Sequence, residues 1–156
     1  MSGTNETLPT IDQLVPHRGA MSLLDEITGY GDDWLESRAR ITGDNLFLTR
    51  GQVPSWVGLE YMAQTAAAFM GVGREPGTRA RIGFLAGTRK YQTQGPAFVP
   101  GSELRVRVQR LGEASGGLLM LEATLTCQPP EGEAFSANAR LTIYEPDDSR
   151  DSYGEP

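Results

Sequence analysis

Residues 51–73 carry one formal charge, Glu60. From Gln52 the segment reads QVPSWVGLEYMAQTAAAFMG, nearly all apolar or small. A chain with such a segment must bury it, in a bilayer or in its own core. The length would suffice for a bilayer. But the segment is rich in Ala and Gly and holds Pro54, Glu60 and Gln64. A carboxylate facing lipid costs roughly 3 kcal/mol on insertion scales. The expectation is therefore a central helix of a water-soluble domain, apolar on every side. Pro54 suits a first turn and Ser55 suits a cap. Gly71, Gly73 and Pro76-Gly77 end the pattern.

The flanking sequence supplies what such a helix needs. MSLLDEITGYGDDWLESRARIT reads as a hairpin around the turn-rich GYGDD. Its second run alternates Leu35, Ser37, Ala39 and Ile41 against Glu36, Arg38 and Arg40. GDNLFLTRGQVP reads as an irregular loop. After the helix come four strand-like runs: RIGFLAGTRKYQ, SELRVRVQRL, GGLLMLEATLTCQ and AFSANARLTIYEP. Leu104, Val106 and Val108 alternate with Arg105, Arg107 and Gln109. TIDQLVPHRGA reads as a short helical turn between Thr10 and Pro16. The fold class is α+β: a curved antiparallel sheet around one long helix. Residues 1–146 are expected to form one domain and residues 147–156 a flexible polar tail.

The chain has 156 residues, 14 basic and 20 acidic, for a net charge of -6. That balance argues against nucleic acid as a partner. One cysteine, Cys127, excludes an internal disulfide and a zinc cluster and reads as core. The first residues, MSGTNETLPTIDQLVP, lack the pattern of a signal peptide. A cytoplasmic location is expected, with no metal and no cofactor.

Glu60 is the candidate for chemistry. An acid near a helix start has structural uses, since it offsets the helix dipole or simply faces water. Its apolar neighbours weigh against the second. Trp56, Glu60 and Gln64 are spaced by four and share one stripe. Trp56 is placed to shield the acid and Gln64 to hold it; burial disfavours the charged form of an acid and suits it to proton donation. The N–H groups of Ser55 and Trp56, at the helix start, have no partner within the helix. They are candidate donors to a carbonyl oxygen that gains negative charge.

His17, in LVPHRGAMSLLDEI, is the only histidine and the only neutral imidazole base on offer. Its structural alternative is a loop histidine bonded to a backbone carbonyl. No G-x-S-x-G occurs. GFLAG and GEASGG lack the lysine pattern of a phosphate-binding loop.

LVPHRGAMSLLDEI, VPSWVGLEYMAQ and IGFLAGTRKYQTQGPAFVPGSELRV resemble, in that order, the "LPHR…LLVD", "PG…LE(A)MAQ" and "VPGD" segments of bacterial 3-hydroxyacyl-carrier-protein dehydratases. The resemblance runs from about Ile11 to Tyr144, and the wording is similar to a subgroup associated with aryl polyene biosynthesis. It implies a hot-dog fold that dimerises edge to edge, as a homodimer or a heterodimer with a related subunit. It implies that a histidine takes the α-proton of a (3R)-hydroxyacyl thioester while a helix acid helps the hydroxyl leave as water. Glu60 matches that acid, and Ser55 stands where the family's glycine supplies an oxyanion N–H. The family's "HFPG" histidine is missing, since the corresponding loop is LTRGQVPSW. Either His17 has taken over as base or the chain is not a dehydratase in its own right. The first is preferred, because Glu60 and Gln64 would have little purpose in a dead site. A hot-dog thioesterase and a silent subunit of a heterodimer are the alternatives.

The implied partner is an acyl carrier protein bearing a phosphopantetheine-linked acyl chain. Met62, Ala66, Phe69, Phe84 and Leu85 are candidate tunnel walls, with ordinary core packing as the alternative. Carrier proteins are acidic, so docking calls for a basic rim. Arg18, Arg79, Arg81, Arg89 and Lys90 are the candidates.

Overall fold

The computed structural model describes residues 22–72, 84–114 and 116–144, with side chains from 84–89 and 114 left aside. The turn expected at Thr10–Pro16, His17, Arg18, Arg79, Arg81 and the tail 147–156 lie outside these residues. Along the chain run β1 (Glu26–Tyr30), β2 (Trp34–Arg40), β3 (Val53–Pro54), a 3₁₀ turn (Ser55–Val57), α1 (Gly58–Gly71), β4 (Phe84–Thr93), β5 (Ala97–Phe98), β6 (Glu103–Ala114), β7 (Leu118–Gln128) and β8 (Phe135–Tyr144).

Six strands form one antiparallel sheet in the order β1-β2-β6-β7-β8-β4. The period of two fixes its faces. In β2, Leu35, Ser37 and Ala39 are fully buried while Arg40 is exposed. In β6, Leu104, Val106 and Val108 point inward while Arg105 and Arg107 point out. A slip of one residue would exchange those sets, so the register is strongly specified. Leu35 pairs with Val108 and Val106 with Leu125. Register shifts interrupt β1, β4 and β6. Such bulges bend a strand and increase its twist, which lets the sheet curve over the helix.

Helix α1 packs on the inner face, chiefly against β6 and β2. Tyr61, Met62, Ala66 and Ala68 are fully buried in one cluster with Leu104, Leu121, Leu125 and Leu141. Cys127 lies in the same cluster. Outer-face ion pairs such as Arg38–Glu26 at 2.7 Å remain water-exposed, where such pairs contribute little.

Two expectations change. The α-helix starts at Gly58, not Pro54, and Ser55 makes no side-chain cap. Val53 and Pro54 are drawn instead into pairing with Phe98 and Ala97, so the loops around the helix start form a small second ladder. Nor is the helix uniformly buried: Leu59, Glu60, Ala63, Ala67 and Met70 form a half-buried stripe. Strand β4 closes the sheet order and is bordered by β8 on one side only, among the described residues.

The core predicts its own sensitivity. Leu121→Ala should cost about 2–5 kcal/mol in urea unfolding, while Arg105→Ala should stay within about 0.5 kcal/mol.

Candidate active site

The site gathers at the start of α1. Glu60 lies in its first turn, half-buried. One turn on, Gln64 is fully buried and its Nε2 donates to Glu60 Oε2 at 3.3 Å. Its Oε1 accepts the Leu23 N–H at 2.9 Å. The expected Glu60–Gln64 pairing is thus present, and Gln64 also ties the helix to the segment ahead of β1. The neighbouring position adds a second tie: Thr65 Oγ1 lies 2.9 Å from Ser37 Oγ and donates to Tyr61 O at 2.8 Å. Tyr61 Oη in turn accepts from Asn45 Nδ2 at 3.0 Å. Burial pushes the Tyr61 hydroxyl up to about 12, so it stays neutral.

Trp56 does not do what its spacing suggested. It is 61% exposed and meets Phe47 edge-on, with ring centroids 6.2 Å apart. The reason is the 3₁₀ turn, which has three residues per turn instead of 3.6. That winding carries Trp56 off the stripe it would share with Glu60 in a continuous α-helix. The ring is thus largely open to water.

Ser55 is also reassigned. Its N–H donates to Pro96 O at 3.2 Å and is taken as an oxyanion donor no longer. Its carbonyl accepts from the Tyr91 hydroxyl at 2.6 Å and from the Gly58 N–H. The chain has no cis peptide among the described residues, so the N–H of a peptide points opposite its C=O. Anchoring the Ser55 carbonyl therefore aims the Trp56 N–H the other way, out of the helix start. Burial raises Tyr91 above the ordinary tyrosine range, which keeps it protonated and donating.

Tyr91 and Gly58 were not singled out from the sequence. A Cβ on residue 58 would collide with the Tyr91 hydroxyl and crowd Phe98. The available signal was a glycine inside an otherwise helical pattern, a mark of close approach. Tyr91 follows Lys90, whose φ is 57° within a register shift of β4. Lys90 is exposed there.

The remaining candidates divide. Met62, Ala66 and Phe69 are buried in the core cluster, the packing alternative given for them. Phe84, Leu85 and Arg89 lie on β4. Among the described residues no cluster of His, Cys, Asp and Glu could hold a metal, and no helix is long and apolar enough to cross a membrane.

Residues 9–153 match the ApeP-like family, described as ApeP dehydratase. No curated protein matches. Among solved structures, the dehydratase heterocomplex ApeI:P from Xenorhabdus doucetiae superposes with a TM-score of 0.78 at 26% identity, covering 92% of this chain and 95% of that one. The E. coli PaaI protein from the phenylacetic acid degradation operon gives 0.58 at 11% identity, over 78% of this chain and 79% of that one. The smu.793 protein of Streptococcus mutans, bound to acetyl CoA, gives 0.58 at 10% identity, over 77% and 86%. The last two establish the fold alone, a hot-dog fold in agreement with the helix and sheet described above.

The tight fit of Gly58 predicts a change of sign. Gly58→Ala gains about 1 kcal/mol of helix propensity but loses about 1–3 kcal/mol to overpacking. It should destabilise the parent in urea unfolding, and become neutral or stabilising when Tyr91→Phe removes the hydroxyl.

Proposed function

Because the chain belongs to the ApeP-like dehydratase family, we propose that it removes water from a (3R)-3-hydroxyacyl thioester on an acyl carrier protein, giving the trans-2-enoyl thioester. Loss of water across C2 and C3 breaks a C–H bond and a C–O bond. The C–H electrons become the new double bond, and the base receives the proton. The oxygen leaves as water once an acid has supplied a proton. His17 is the proposed base and Glu60 the proposed acid. The observation that carries this reading is the Glu60–Gln64 pair at the mouth of a nearly uncharged helix. Gln64 Nε2 donates to Oε2, so that oxygen is the acceptor of the pair. The Trp56 N–H is the proposed donor to the thioester oxygen as the enolate forms.

The acyl chain is proposed to run past Phe84 and Leu85. Carrier docking is assigned to Arg18, Arg89 and Lys90. Lys90 supports that assignment, since its left-handed backbone is disfavoured for a lysine and is held at an exposed bulge. The partner is proposed to be a related hot-dog subunit. The half-buried stripe of Leu59, Ala63, Ala67 and Met70, together with the separately exposed Trp56 and Leu46, supports a covered surface. A heterocomplex is what the ApeI:P structure is named for.

Mass spectrometry of a 3-hydroxyacyl carrier protein incubated with this protein, alone and with the related subunit, tests the reading. Loss of water is expected. Release of free carrier thiol would instead make it a thioesterase, and no change unless the related subunit is added would make it a silent subunit. Glu60→Gln and His17→Ala should each lower kcat by about 10²–10⁴-fold; a His17→Ala variant with parental turnover removes His17 from the mechanism. Carrier binding should weaken steeply with salt and with Lys90→Glu. Affinity indifferent to salt would exclude a basic docking rim.

A further inference from the structure

The Gln64 amide is gripped at both ends by different parts of the chain. Its side chain is fully buried. A buried amide must satisfy its oxygen and its nitrogen separately. The oxygen is assigned by the Leu23 N–H, 2.9 Å away, because a backbone N–H donates and never accepts. Only the NH₂ end is then left to face Glu60, and it lies 3.3 Å from Oε2. Were Leu23 to offer an acceptor, the amide would turn over and present its oxygen to the acid.

We propose that Gln64 is a positioning residue that sets the Glu60 carboxyl by reference to the chain segment entering β1. This rests on the reading of Glu60 as the acid and deepens it. The reference segment is itself fixed. Leu23 and Leu24 are buried. The Asp25 N–H donates to Arg38 O at 2.9 Å, and Asp25 Oδ2 accepts the Arg40 N–H at 2.8 Å. Hairpin β1–β2, the entering segment, Gln64 and Glu60 thus form one continuous chain of contacts. On the helix side the Thr65–Ser37 bond, at 2.9 Å, stops α1 from sliding against that hairpin. Glu60 has three rotatable side-chain bonds, and a fixed donor at Oε2 selects among its rotamers.

Two variants separate the ends of the amide, assayed in the assembly that turns over substrate. Gln64→Glu keeps an acceptor for Leu23 but puts an oxygen against Glu60. Gln64→Met keeps the bulk and removes both bonds. Hydrogen exchange at the Leu23 amide reports one end, and kcat with KM reports the other. In Gln64→Glu the Leu23 amide should stay protected while kcat falls about 10- to 100-fold and KM moves within about threefold. In Gln64→Met, Leu23 exchange should accelerate and kcat should fall at least as far. The inference is overturned if a folded Gln64→Met leaves Leu23 exchange unchanged, or if a folded Gln64→Glu keeps kcat within about twofold of the parent. Loss of the fold in both variants also overturns it, because the residue would then serve stability alone. Glu60→Gln provides the control: full activity there defeats the assignment of the acid, whereas loss there without loss in Gln64→Glu defeats only the clamp.

Discussion

The burial of one nearly uncharged helix against one face of a six-stranded sheet is the constraint on which the rest depends. An α-helix satisfies its own main chain, so it can lie in an apolar enclosure at little cost. Polar side chains placed on it must then find partners there. Gln64 and Thr65 do so in adjacent positions, one through Leu23 and one through Ser37. Both partners belong to the hairpin and its entrance. The polar contacts thereby fix the axial position of the helix, which apolar packing alone specifies loosely. A half-buried carboxyl one turn away inherits that placement.

The start of the helix is governed by a different set of groups. The 3₁₀ turn, the β3–β5 ladder and the Tyr91 hydroxyl converge on Ser55 and hold both its N–H and its carbonyl. Gly58 admits the hydroxyl because it has no side chain in the way. The consequence is directional. One peptide N–H, that of Trp56, is turned out of the helix start, and the neighbouring Ser55 N–H is consumed by structure. Two groups that looked equivalent in sequence are thus given unequal roles by the strand that folds over them.

Most of the architecture was legible in the sequence, because period two and an uncharged run are strong signals. Leu35–Ser37–Ala39 and Leu104–Val106–Val108 could face only one way once the helix needed cover. Glu60 and Gln64 were legible as a pair because i and i+4 adjoin on any α-helix. Trp56 failed because that same rule was carried one turn too far, into residues wound as 3₁₀. Ser55 failed because its fate is decided by Pro96, far along the chain, and no local pattern announces a two-residue ladder. Tyr91 and Leu23 were missed for a related reason: each acts through one long-range bond, to Ser55 or to Gln64. His17 and Arg18 lie beyond the described residues.

Strand β4 ends the sheet with ten residues bordered on one side only, among the described residues. What an open strand edge offers a newcomer is amide and carbonyl groups, spaced identically whatever side chains flank them. Recognition written in main-chain atoms tolerates sequence drift on either side of such an edge. A subunit that paired along such an edge would be held by contacts independent of its side chains.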